Sequence, residues 1–181
     1  MVLIPDASYT DPGAWRIDMD ASEATLSMTT SKGPRLLHKL PGFHGSFYVS
    51  PVGLLAGFTL RLPLPVYPPW LREDEAPELY YESVDLEAAK APNQVRGNAR
   101  LRLGSRETSA AVSGLCTPVP AGHLGRPYLK IVLETVFASV RLRWPAEAWR
   151  RLRPVTLTLF TEIRPADAPQ PRRGGPEQRN R

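Results

Sequence analysis

Apolar and polar positions alternate with a period of two through much of this chain, most clearly between Pro77 and Gly114. In that stretch Val95, Gly97, Ala99, Leu101 and Leu103 interleave with Arg96, Asn98, Arg100 and Arg102. Such a period sends one set to a buried face and the other to water, as in a half-buried strand. Leu79 and Tyr81 alternate in the same way with Glu78, Tyr80 and Glu82. The Pro and Asn of Ala88–Gln94 and the Gly104-Ser105 pair are turn chemistry. The pattern predicts three antiparallel strands joined by two turns.

Outside this meander, Ala24, Leu26 and Met28 alternate with polar neighbours after AWRID at 14–18, which predicts a first long strand. SKGPR at 31–35 reads as a turn and GFHGSFYV at 42–49 as a short strand. In LLAGFTLRLPL, Phe58, Leu60, Leu62 and Leu64 share a face, and Pro63 and Pro65 should end the ladder. Residues 65–78 form a Pro-rich, acidic loop around Trp70-Leu71, where Trp70 either plugs the core or meets a ligand. CTPVPAGHLGRP at 116–127 reads as an irregular connection.

The run YLKIVLETVFASVRLRW is too long for one flat strand. Its inward set changes parity, from Leu129, Ile131, Leu133 and Phe137 to Val140, Leu142 and Trp144, which predicts a bend or bulge near Ala138–Ser139. Pro145 then opens a short helix over AEAWRRL. VTLTLFTEI at 155–163 is the last strand, with Val155, Leu157, Leu159 and Ile163 on one face. The expected fold is all-β: an antiparallel, lipocalin-like β-barrel of about eight strands with one short helix. Closure into a barrel also removes exposed strand edges.

Composition refines this picture. The chain has 181 residues, enough to bury a real core in one domain. The organisation expected is an N-terminal arm at 1–13, a barrel domain at 14–164 and a basic, disordered tail at 165–181. The 20 prolines fall between apolar runs or near the C-terminus, which suits β-structure with Pro-bearing loops. Cys116 is a lone cysteine, so no internal disulfide forms, and a small buried thiol is the expectation. No stretch reaches the roughly 18 apolar residues of a membrane span. The first residues lack the basic and apolar regions of a secretory signal, so the chain is expected in the cytoplasm. Net charge is +5, of which the tail supplies +2 through four arginines against Asp167 and Glu177. So modest and dispersed a charge does not argue for nucleic acid.

Four motifs, taken in order, resemble the YceI-like family. Trp15, Ile17, Asp18 and Ser22 match its first, and Gly45-Ser46-Phe47 its Gly-x-Phe strand. Pro77-Glu78-Leu79-Tyr80-Tyr81-Glu82-Ser83 is followed by Val95, Gly97, Ala99 and Leu101. The resemblance spans about residues 14–163 and implies a lipocalin-like barrel that encloses a polyisoprenoid or fatty-acid derivative. The chain departs from the pattern at Ala21, where a His is common, and at Leu142-Arg143-Trp144-Pro145, which lacks Asp-Phe-Gly. The Trp70–Ala76 loop replaces an Asp-Phe-Phe element. The resemblance therefore implies the fold more firmly than the ligand.

The inward positions of such a barrel are apolar: Leu26, Phe58, Leu60, Tyr81, Leu101, Ile131, Leu133, Phe137, Leu157 and Leu159. With Trp70 from the loop they are the candidate cavity lining. A tunnel so lined would take up an alkyl or prenyl chain at about 0.8 kcal/mol per methylene removed from water, with Tyr81 placed to orient a head group. Equally, the same residues could pack on one another and fill the barrel.

Catalysis finds little support. His38, His44 and His123 sit in or beside Gly/Pro turns without metal-ligand spacing, and no nucleophile elbow, P-loop or dinucleotide fingerprint is present. Glu73, Asp74, Glu75 and Glu78 read as a solvated loop, and Glu82 and Glu134 as unpaired rim carboxylates. The expectation is a non-enzyme without cofactor or metal. Its partner would be a long-chain lipid or isoprenoid, with no nucleic acid, no integral membrane segment and homodimerisation left open. A filled barrel serving as a protein-interaction scaffold is the alternative.

Overall fold

Nine strands and two helical turns make up the computed structural model, which describes residues 13–51, 53–121 and 127–165. The strands are β1 (Gly13–Thr30), β2 (Gly33–Leu40), β3 (His44–Val49), β4 (Leu55–Pro63), β5 (Glu78–Ala88), β6 (Gln94–Leu103), β7 (Arg106–Val119), β8 (Tyr128–Ala138) and β9 (Pro154–Pro165). Between β8 and β9 lie α1 (Ser139–Leu142) and α2 (Ala146–Arg150). The expected arm and tail fall almost wholly outside the described residues, as does His123.

Every neighbouring pair is antiparallel, and β1 closes the sheet by pairing with β9, for example Ile17 with Ile163 and Leu26 with Leu157. On its other edge β1 meets β3 at Gly13–Trp15 and β2 at Ala24–Thr30. β2 and β3 are thus two halves of one barrel position, interrupted at Pro41–Phe43. The closed circuit has eight positions, a number at which side chains can just fill the interior.

The interruption has a local cause. Between Asp18 and Glu23 the β1–β9 register slips, and the extra residues bulge outward. Ser22 Oγ donates to the Asp18 carbonyl at 2.5 Å and shares a 2.7 Å hydrogen bond with the buried Thr161 hydroxyl. Asp18 also pairs with Arg164 at 3.5 Å. The first motif, with Asp18 and Ser22 four residues apart, therefore holds a bulge that bends the longest strand.

Other motif residues act alike. Ser83 lies at the β5 register shift and accepts the Phe58 N–H at 2.9 Å. Opposite the same shift, a Cβ on Gly97 would stand 2.0 Å from the Asp85 carbonyl oxygen. Gly45, at φ +145°, approaches β4 so closely that a Cβ would stand 2.0 Å from the Thr59 carbonyl oxygen. No side chain fits at either glycine without moving a neighbouring strand.

The β5–β7 meander forms with the turns where the alternation places them, at Ala89–Asn93 and Gly104–Ser105. Four expectations need correction. The 31–35 turn is shorter, because β2 begins at Gly33 and continues to Leu40. Residues 116–119 of the expected loop extend β7, paired with β8 through Val119↔Tyr128. The parity change after Phe137 is achieved by the helical turn α1, not by a bulge, so Leu142 and Trp144 are buried while Val140 faces water. Two helical turns are present where one was expected; the second, α2, is preceded by Pro145 as the sequence indicates.

Candidate functional site

All ten strand residues expected to point inward do so. Leu26, Phe58, Leu60, Tyr81, Leu101, Ile131, Leu133, Phe137, Leu157 and Leu159 belong to one hydrophobic cluster, each at most 2% exposed. With so little surface open even to water, these side chains touch one another rather than face open space. The interior is an apolar column that is packed in this conformation.

One polar contact crosses it. The Tyr81 hydroxyl on β5 lies 2.6 Å from the Thr135 hydroxyl on β8, and either can donate. The strand order puts β6 and β7 between them. The Tyr81 ring leans on Phe58, centroids 4.6 Å apart, and Phe58 in turn on Phe47 at 6.0 Å. Burial raises the Tyr81 pKa far above its ordinary value, outweighing the bond from Thr135, so the phenol stays neutral. The alternating pattern exposes Tyr81 as inward-facing. Thr135 shares the phase of Ile131, Leu133 and Phe137, so its direction is legible by parity, but its polarity hides it among the apolar lining.

The two ends differ. One carries the β3–β4, β5–β6 and β7–β8 connections. There Cys116 N–H donates to the Asn93 carbonyl at 2.7 Å, and burial pushes the Cys116 thiol up to about 11. Such a thiol is a core residue and not a ready nucleophile.

The other end carries the β1–β2 and β6–β7 turns, the 64–77 loop and the α1–α2 segment, which form a cap. Leu71, Leu142, Trp144 and Ala148 enter the core from it. Trp70 sits in this cap, not in the barrel wall. It is half-buried against the core, donates Nε1–H to the Arg143 carbonyl at 3.0 Å, and lies under the Arg106 guanidinium at 4.9 Å. His38 stacks on Trp144 with the rings 4° from parallel and 5.8 Å apart; burial lowers its pKa, partly opposed by Glu147. Glu147 also pairs with Arg35 at 3.4 Å, and Arg153 Nη1 donates to the Thr29 carbonyl at 3.0 Å. The cap is thus anchored to β2 and β1 by polar contacts near its surface and by four apolar side chains beneath.

Remaining candidates lie on the outer wall. Glu82 pairs with Arg100 at 3.2 Å, and Arg100 with Glu107 at 3.3 Å, beside a shallow depression lined by Thr59, Tyr80 and Arg102. Tyr80 lies between the Arg61 and Arg102 guanidiniums, 5.3 and 4.8 Å from its ring centroid. Glu134 and His44 are exposed. Among the described residues, no three His, Cys, Asp or Glu side chains converge as a metal site.

No family model matches the chain. No curated protein matches it either. Among solved structures it is similar to BcnA of Burkholderia cenocepacia, with a TM-score of 0.57 and 11% identity, over 81% of this chain and 98% of that one. At that identity the likeness is one of fold.

Proposed function

We propose that this protein is a non-catalytic carrier that binds a long apolar molecule, a polyisoprenoid or fatty-acyl derivative, inside the barrel. The observation that carries the reading is an interior lined almost throughout by apolar side chains, crossed by the Tyr81–Thr135 hydroxyl pair and with Thr161 at its wall. The barrel fold and the YceI-like motif order support it. A chain entering this column must displace packed leucines and phenylalanines, so binding is coupled to side-chain rearrangement and to opening of one end. Each methylene transferred from water contributes about 0.8 kcal/mol, so a chain of a dozen carbons can offset several lost contacts. Tyr81 and Thr135, released from each other, would offer hydroxyls to a head group or an unsaturated, oxygen-bearing tail.

A second reading, a filled barrel that acts as a scaffold, is favoured by the near-zero exposure of the inward set. Titrating a fluorescent long-chain acyl probe into the delipidated protein separates the two. The carrier saturates at one probe per chain and releases it to unlabelled prenyl alcohol; the filled barrel shows no saturable uptake.

A further inference from the structure

The segment 139–153 of the cap contains five arginines against the single acid Glu147, which is already paired with Arg35. Among the described residues, Arg141 and Arg151 have no carboxylate partner, while Arg143 and Arg150 lie over the Trp149 ring, each 5.9 Å from its centroid. The same segment exposes two apolar side chains: Val140 is 43% and Leu152 73% exposed. Leu152 is the most exposed of the large apolar residues described.

The backbone makes these exposures notable. Both helical turns end in the same way. Arg143 N–H donates to the Val140 carbonyl and Trp144 N–H to that of Ser139, closing α1; Leu152 N–H donates to Trp149 and Arg153 N–H to Ala148, closing α2. In this closure the residue after the helix adopts left-handed geometry, and glycine is its usual occupant. Here the occupants are Arg143 at φ +50° and Leu152 at φ +53°. Asn93 is the other non-glycine residue with positive φ described, and Asn tolerates that region. Local folding would be easier with glycine at both cap positions. Instead Leu152 is held out into solvent, and the Arg143 guanidinium reaches no further than the Trp149 ring at the surface.

We infer that the 139–153 face of the cap, rather than the acidic 64–77 loop of the same end, docks on an anionic membrane surface, with the arginines of 141–151 at the phosphate level and Leu152 and Val140 reaching below it. Charge complementarity argues for an anionic partner. The unpaired leucine and the arginine-flanked Trp149 argue for a bilayer, which rewards an apolar tip and an interfacial tryptophan, over a nucleic acid backbone, which does not. The docking face is the outer surface of the 139–153 segment, whose Leu142, Trp144 and Ala148 plug the barrel from within. The inference stands apart from the carrier reading, since vesicle binding and lipid content are separate measurements and either can fail alone.

The test is partitioning of the full chain onto phosphatidylcholine vesicles with and without phosphatidylserine. Binding is expected only to the anionic vesicles and to weaken as salt rises. Arg150→Glu/Arg151→Glu should lower partitioning at least about 20-fold, at a factor of about five for each arginine near such a surface. Leu152→Gly should lower it about threefold or more while holding or raising the thermal midpoint, because glycine suits that backbone; this variant guards against misfolding as the explanation. Variants that partition like the parent would place any membrane affinity elsewhere, the basic tail included, and overturn the inference. So would equal binding to neutral vesicles, or patch-dependent binding of duplex DNA without vesicle binding.

Discussion

Tyr81 and Thr135 join hydroxyls at 2.6 Å inside a largely apolar barrel, tying β5 to β8 across two intervening strands. Each satisfies the other's polar group where water cannot. Tyr81→Phe should therefore cost about 1–2 kcal/mol of stability, and Thr135→Val a similar amount, because each strands a buried hydroxyl. The double variant should cost clearly less than the two single losses combined, since it strands none. Urea denaturation of the four proteins measures this coupling; strict additivity would mean that the bond is not formed.

Alkaline pH should loosen the fold through two buried groups. Burial raises both Cys116 and Tyr81, so the folded state holds their protons more tightly than the unfolded chain. Stability from such groups is complete below the unfolded pKa and is lost as pH rises. For Cys116 the window runs from its ordinary 9.0 to about 11, a loss of roughly 2–3 kcal/mol. Tyr81 adds to it above its ordinary 10.0. Urea midpoints followed from pH 8 upward should fall, and Cys116→Ala should flatten the first part of that decline.

Gly45→Ala and Gly33→Ala should differ sharply although both glycines have positive φ. At Gly45 the new methyl would meet the Thr59 carbonyl oxygen, whereas at Gly33 it meets open space. The first should cost more than about 4 kcal/mol or prevent folding, and the second only the backbone term of about 1–2 kcal/mol. Thermal melts of the two variants check this.

If the cap is the entrance, its tethers set the exchange rate. Trp70→Phe removes the bond from Nε1 to the Arg143 carbonyl and weakens the stack under Arg106. We expect a stability loss of about 1 kcal/mol and several-fold faster release of a bound long-chain probe in stopped-flow measurements. An unchanged rate would move the entrance to the opposite end.

Much of this barrel is readable from alternation, because β6, β8 and β9 bury one face cleanly, β4 does so from Phe58 and β5 as far as Tyr81. β2 is not readable in that way. Its register skips Leu37 opposite the Leu26/Ser27 shift, and Leu36 points outward, so no period of two survives. α1 reads as a bulge in the sequence because either device shifts parity after Phe137. Of the candidate site, the inward residues are legible one by one, but how tightly they pack is not, since parity gives direction and not distance. The cap is hidden for another reason: the Trp70–Arg143 bond joins residues 73 positions apart. The motif residues Asp18, Ser22, Gly45, Ser83 and Gly97 turn out to build bulges and close strand approaches. They mark the fold, whereas Tyr81, from the same motifs, faces the candidate site.

If the apolar column accepts a long-chain guest, that guest should travel with the protein through purification. Organic extraction of the purified protein, followed by mass spectrometry, is the measurement to make. One prenyl or acyl species per chain should appear, and it should be recovered again when the delipidated protein is incubated with that species. A clean extract together with no uptake of added long-chain lipid would contradict the carrier reading and leave the barrel a filled scaffold.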